Sequence, residues 1–319
     1  MLLKSLDHIF WLGRYLERLD DTARLINATS HLLIDSHKDS QFSWPLLLDV
    51  LGQDGAQLLS ELQPSQLTVE QQVMAFLITD VTSQVSIRTA CTAMKQNART
   101  VRQLIPRDMW EELNSLDLFL QEHCEQLPGR QHRYRLMTEV SRRCQMVVGV
   151  LDGTMLRSDA FDLFNIGRHL ERADMTTRIM DVMVLQQLKP NDLKRPKFRW
   201  TSILNALGGV ESYHYYLAHQ QGEVDAVDYL LTYADFPRSI AYCLNRVAAS
   251  AKGLPHSAAI LQQVWQLQAL LKTESLTELS TSQLHQLIDQ IQSGLMELHQ
   301  VIFSPVLHSA LDQAEQLSA

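Results

Sequence analysis

The sequence predicts an all-α fold: two duplicated helical-bundle units packed about a pseudo-twofold axis. Three observations lead there. Turn formers are sparse, with 12 Gly and 9 Pro in 319 residues, about 7% against a usual share near 12%, so long elements are expected. Helical periodicity runs through nearly the whole chain, and alternating strand patterns bounded by turn pairs are absent. Finally, the chain repeats itself. Phe10 to Arg24 and Phe164 to Arg178 share nine of fifteen residues at an offset of 154. Phe42-Ser43-Trp44 with Leu48, Leu51 and Gly52 returns as Phe198-Arg199-Trp200 with Leu204, Leu207 and Gly208. Phe76 to Thr79 with Ser86-Ile87 returns as Tyr229 to Thr232 with Ser239-Ile240.

A period of roughly 155 residues exceeds the ~20 to 50 of solenoid repeats. Two bundles suit it better, over 1–155 and 156–319, the second with added C-terminal helices and both forming one body. Each unit is predicted to hold about five helices. The first carries the Phe10 or Phe164 block, and the second follows the Phe-x-Trp. A third ends near Thr79 or Thr232, a fourth starts near Ser86 or Ser239, and a fifth lies beyond. Breaks are expected at Asp39 to Pro45, Leu127-Pro128-Gly129, Pro190 to Pro196 and Leu254-Pro255. From Thr273 onward, Leu276, Leu284, Ile288, Ile291, Leu295 and Leu298 keep a helical stripe, which predicts one or two further helices.

Composition narrows the function classes. Apolar residues make up 45% and charged residues 20%, a core-forming balance that excludes disorder over most of the length. A net charge of -8 argues against nucleic-acid binding, which relies on a basic footprint. The first residues reach charge too early for a signal-peptide apolar region, and no stretch approaches the ~18 to 20 apolar residues of a membrane span. Cys91, Cys124, Cys144 and Cys243 are scattered and read as buried thiols of a cytoplasmic protein.

The duplicated block concentrates charge. On a wheel of about 100° per residue, Glu17, Asp20 and Arg24 fall within about 40° of Gly13. Asp21, Arg14 and Arg18 follow on one flank, and Leu12, Leu16, Leu19, Ala23 and Ile26 oppose them. The second copy keeps Gly167, Arg168, Glu171, Arg172, Asp174, Thr176 and Arg178, and has Met175 where Asp21 stood. Arginine forks hold carboxylate or phosphate bidentately, acids can orient them, and glycine admits a close neighbour. Three readings stay open: a site for an anionic group or a partner, a structural ionic network fixing helix register, and catalysis. For the last, Glu17 or Glu171 would need a raised pKa, whereas adjacent arginines lower it.

With these Gly-Arg-x-Leu-Glu-Arg-x-Asp-x-Thr-x-Arg blocks, the chain resembles the alpha-E domain family, a bacterial all-helical family named for its Glu-Arg motif. The likeness extends to Asn97 to Arg102, Trp110 to Asn114, Gly153-Thr154-Met155 and Asp235 to Ile240. It departs at Gln84-Val85-Ser86-Ile87, where the family has a Pro before Ser-Ile. The resemblance implies partners, an ATP-grasp ligase and a transglutaminase-like protein, and a part in forming or modifying peptides. Together with the block, it implies a non-catalytic binding component that takes an anionic peptide or small molecule and needs no cofactor. The runner-up is an enzyme of amide-bond chemistry.

Further candidates are fewer. Asn97, Arg99 and Arg102 are replaced in the second unit by Ser250, Lys252 and Pro255, so they are either a second wall of the site or a solvated face. Asp235 to Ser239 reads as a turn into a helix, with Arg238 free to meet an anion there. Arg130 to Arg135, Arg142-Arg143 and Lys194 to Arg199 read as solvated faces. The histidines form no His-x-x-x-His pair, and Glu211-x-x-His214 stands alone, so no metal site is expected. No phosphate loop or nucleophile elbow appears.

Overall fold

The computed structural model describes residues 2–35, 43–61, 67–124, 129–187, 203–219, 226–254, 257–272, 276 and 279–303. Among them every regular element is helical, so the chain is all-α. In order these are α1 (Leu2–Asp35), α2 (Trp44–Val50), α3 (Gly55–Glu61), α4 (Val69–Met74), α5 (Ile87–Thr100), α6 (Arg107–His123), α7 (Arg130–Thr154) and α8 (Asp159–Gln187). Then follow α9 (Val210–His219), α10 (Ala226–Thr232), α11 (Ile240–Ala251), α12 (Ser257–Leu270) and α13 (Thr281–Ile302). A wider π-turn, Ala75–Thr79, extends α4, and residues 203–207 are also helical. No described helix is long and apolar enough to cross a membrane.

Local chemistry sets the ends. Ser86 and Ser239, equivalent in the repeat, both cap helices, accepting from Thr89 N and Tyr242 N, each cap contributing about 1 kcal/mol. Thr68 with Gln71 and Ser280 with Gln283 form reciprocal capping boxes on α4 and α13. Gly52 and Gly208, also equivalent, take φ of 77° and 64°. Behind each, an amide reaches back five residues: Gln53 N to Leu48 O at 2.9 Å and Gly209 N to Leu204 O at 2.7 Å. That is the left-handed stop a glycine permits. The breaks expected around Asp39 to Pro45, Leu127 to Gly129, Pro190 to Pro196 and Pro255 fall largely outside the described residues, as do Phe42 and Phe198-Arg199-Trp200.

The chain divides into two compact bodies: residues 15–155 with 205–207, and residues 1–14 with 156–204 and 208–319. One division falls after Met155, while the start of α1 counts with the C-terminal body and residues 205–207 with the N-terminal one. In the N-terminal body α5 packs on α6 and α6 on α7. Its core includes Leu16, Leu19, Ile26, Leu47, Met74, Met94, Leu116, Met137 and Val147, each at most 1% exposed. In the C-terminal body α8 packs on α11 and α13, and α12 bridges those two. There Phe10, Phe164, Ile166, Tyr229, Ile240, Val264, Ile288 and Ile291 are all 0% exposed. Burying such a side chain is worth about 1.5–3 kcal/mol.

Candidate functional site

Helix α1 is buried on both sides. Its apolar residues are in the core as the wheel requires, but Glu17, Asp20 and Asp21 are buried too, at 3%, 5% and 2% exposure. The charged face is therefore interior. In a medium of low dielectric each such carboxylate needs donors or cations, and the motif supplies them.

In the C-terminal body, glycine sets the geometry. A Cβ on Gly13 would strike the carbonyl oxygen of Phe164, and one on Gly167 would strike that of Phe10. The two backbones thus approach at glycines three residues after a phenylalanine, in reciprocal fashion. This closeness brings Arg14 Nε to 2.5 Å from Glu171 Oε2 and Arg14 Nη2 to 4.0 Å from Asp174 Oδ2. The guanidinium lies over the Trp11 ring, 5.4 Å from its centroid, and its Nη1 is 3.4 Å from His299 Nδ1. Burial and the Arg14 charge hold the His299 pKa below its ordinary value, with Glu171 opposing. A neutral ring with Nδ1 as acceptor suits that contact.

The rest of the second motif ties α8 to the turn before α11. Arg172 Nη1 donates to Pro237 O at 3.1 Å, and Thr176 Oγ1 donates to Arg238 O at 3.0 Å. Arg178 Nε donates to Asp174 at 3.0 Å. Arg168 and Arg238 are buried, at 9% and 6% exposure. The turn into a helix read at Asp235 to Ser239 is present, capped by Ser239; the Arg238 carbonyl anchors Thr176 there and its side chain is buried.

In the N-terminal body, the Glu17, Asp20 and Asp21 carboxylates offer oxygens within 4.8 Å of one another. Asp20 receives Arg24 Nε on both oxygens at 3.0 Å and the Ser141 hydroxyl on one. Arg18 lies over the Tyr15 ring at 5.4 Å. Cys144 lies near this cluster, where burial first, then the charges of Asp20 and Glu17 among others, push its pKa well up. Burial likewise raises Cys124 to about 11, so these thiols are poor nucleophiles. Arg24 extends to a cleft of about 550 Å³ between α1 and α7, which also takes in His31, Tyr134, Thr138 and Arg142.

Asn97, Arg99 and Arg102 do not join this cleft. Asn97 Nδ2 donates to Ala93 O at 2.8 Å and Arg99 is exposed. Arg102 Nη1 donates to Ile105 O at 3.5 Å, with its guanidinium over Trp110. The solvated-face expectation fails at Arg133, whose side chain is 4% exposed and pairs with Glu70 at 2.6 Å. Glu70 lies across the body on α4, too distant in sequence to be read as a partner. The expectation holds at Arg142, which is 74% exposed, but not at Arg143, which is 22% exposed and pairs with Glu139 at 2.9 Å; Lys194 to Arg199 lie outside the described residues.

Two features had a visible but unused signal. Asn27 and His31 continue the Arg24 face of α1 at helical spacing. On α13, His285-x-x-x-Asp289 has ligand spacing, and Asp181 completes the group with its Oδ1 2.6 Å from His285 Nδ1, while Asp289 Oδ2 lies 3.5 Å from Nε2. Glu211 and His214 are both exposed on α9 and belong to neither of the two metal-competent groups among the described residues.

The Glu-Arg pairs Glu17-Arg18 and Glu171-Arg172 thus sit where two charged, largely buried faces are built. A family described as a predicted alpha-helical domain with a conserved ER motif, Alpha-E, matches residues 1–304. The chain belongs to the Alpha-E family. The chain is also similar to two curated relatives, uncharacterized proteins of Mycobacterium bovis (strain ATCC BAA-935 / AF2122/97) and Mycobacterium tuberculosis (strain CDC 1551 / Oshkosh). Each is 23% identical over 275 residues, covering 80% of this chain and 30% of the relative. The Alpha-E chain thus spans less than a third of those proteins. No solved structure matches it.

Proposed function

We propose that this Alpha-E protein is a non-catalytic binding component of a peptide-forming or peptide-modifying system. In this reading it is cytoplasmic and works with an ATP-grasp ligase, a transglutaminase-like protein or both. The two motif copies are repeats of one helical unit about a pseudo-twofold axis, a reading supported by the reciprocal Gly13 and Gly167 contacts. One observation carries the binding role. Among the described residues Arg24 is held by Asp20 through Nε alone, which leaves its two Nη groups for an oxyanion at the cleft. A guanidinium pre-aimed by a buried acid loses little freedom on binding.

The structural reading of the motif is favoured where the copies meet, with Arg14 of the first and Glu171 of the second 12% and 3% exposed and facing each other. The first copy then both clamps helices through Arg14 and presents a cation through Arg24. A catalytic role is less well supported, because Glu171 is already taken up by Arg14 at 2.5 Å and Asp20 by Arg24 at 3.0 Å. The great length of the mycobacterial relatives fits a module that works beside other domains.

Affinity purification of the tagged chain from its native host, with mass spectrometry of co-eluting proteins, tests this. An ATP-grasp or transglutaminase-like protein enriched over a mock sample is the expected result. Turnover of a peptide substrate by the purified chain alone, abolished by Glu17→Gln or Glu171→Gln in a folded variant, would refute the non-catalytic role.

A further inference from the structure

The cleft beside Arg24 is chemically one-sided. Among the described residues its walls contain two guanidinium groups, Arg24 and Arg142, and the His31 imidazole, with no carboxylate, in a chain where acids outnumber Lys and Arg 36 to 28. Asp20 joins the two walls by holding Arg24 from α1 and the Ser141 hydroxyl from α7. Arg142 has only a loose 3.6 Å pairing, with Glu139. Two arginines converging on one open space are built for an oxyanion.

The repeat supplies an internal control. The buried stripe of α7, Leu136, Met137, Val140, Cys144, Val147 and Leu151, falls on Leu287, Ile288, Ile291, Leu295, Leu298 and Ile302 of α13, all buried. In that register His31, Arg142 and Gln145 become Leu185, Ser293 and Met296. Asn27, Tyr134 and Thr138 become Asp181, His285 and Asp289, which satisfy one another. The same helix pair therefore packs without the cationic set. Its presence in one copy is not a demand of the fold.

The rest of the cleft identifies the ligand class. Every lining residue of α1 and α7 is well inside its helix, so those backbone amides are already used. On these two walls recognition comes from side chains. Gln145 and Asn205 offer amides that both donate and accept, and the Tyr134 ring, 47% exposed, stands over His31 at a centroid distance of 4.9 Å. Guanidinium groups for a carboxylate, amides for amides and an aromatic edge match the end of a short peptide. A volume near 550 Å³ lies within the range of small-ligand sites.

We infer that this cleft binds the C-terminal carboxylate of a short peptide, with Arg24 and Arg142 on the carboxylate. The assignment rests on the anion-binding part of the proposed function and names its ligand. Affinity selection on the full chain tests it, using a mixed pool of N-acetylated tripeptides with free carboxylates and the same pool as C-terminal amides. Free acids are expected to be retained at least about tenfold over amides, and Arg142→Gln to reduce their retention about tenfold or more. Arg107→Gln, at an exposed site, should change nothing. Because Arg24→Gln also disturbs Asp20, Arg142→Gln keeps the test independent of folding. Equal retention of acids and amides, or retention unchanged in Arg142→Gln, overturns the inference. Inorganic phosphate bound in the cleft with no peptide retained overturns the peptide assignment but leaves an anion site. No anion bound, with the partner still co-purified, removes the cleft and spares the accessory role.

Discussion

The carbonyl oxygen of Phe164 occupies the place where a side chain on Gly13 would begin, and Gly167 stands in the same relation to Phe10. The pair explains why a glycine heads each charged face. Helix interiors disfavour glycine by about 1 kcal/mol relative to alanine, so its use here offsets a steric demand. Only without Cβ atoms do the backbones come close enough for Arg14 to reach Glu171.

Gly13→Ala and Gly167→Ala should each therefore destabilise. Overpacking against backbone costs about 1–3 kcal/mol, more than the propensity gained. Equilibrium urea unfolding measures the net sign. An increase in stability in either variant would mean the helices separate freely at that point.

The Arg14 and Glu171 pair should behave as a buried ion pair. Glu171→Gln leaves a guanidinium that is 12% exposed facing a neutral group, at a cost of about 3–5 kcal/mol. The double change Arg14→Met with Glu171→Leu should recover much of that loss, since matched apolar replacement is often neutral. If the double variant is as unstable as the sum of both singles, the pair is not coupled.

The helical class and the helix starts near Ser86 and Ser239 were legible because local sequence specifies them: turn formers, spacing and hydroxyl N-caps act within a few residues. The burial of the motif was not. A wheel shows that Glu17, Asp20 and Arg24 share a face but says nothing of what covers it, and Ser141 is 121 residues from Asp20. The same blindness put Arg133 on the surface, because Glu70 is 63 residues away. Arg142 read as solvated, and by exposure it is. Only the opposite wall of the cleft gives that exposure a use.

The repeated stops at Gly52 and Gly208 should be independent of the motif. With φ of 77° and 64°, alanine at either position pays a left-handed penalty of about 1–2 kcal/mol. Thermal unfolding of Gly52→Ala and of Gly208→Ala should each show a loss of that size. Full stability in either single variant would show that its helix ends without the left-handed residue.

His299 makes the Arg14 cluster sensitive to acid. Its folded pKa lies below the ordinary 6.5, first because of burial and then because of Arg14. On acidification the unfolded chain takes the proton before the folded one does, so protonation pulls toward unfolding. The stabilisation is full above about pH 6.5 and is lost as pH falls from there through the folded pKa, with a slope of at most about 1.4 kcal/mol per pH unit. Glu70 has a lowered pKa chiefly through its hydrogen bond from Arg130, and its loss begins lower, as pH falls through 4.5. Urea unfolding between pH 7.5 and 5.5 keeps Glu70 out of the window, and the difference between wild type and His299→Gln isolates this histidine. Wild type should lose stability across that window, and His299→Gln should lose less. Equal slopes would mean that His299 charges inside the fold as easily as in water, and that its contact with Arg14 does not depend on a neutral ring.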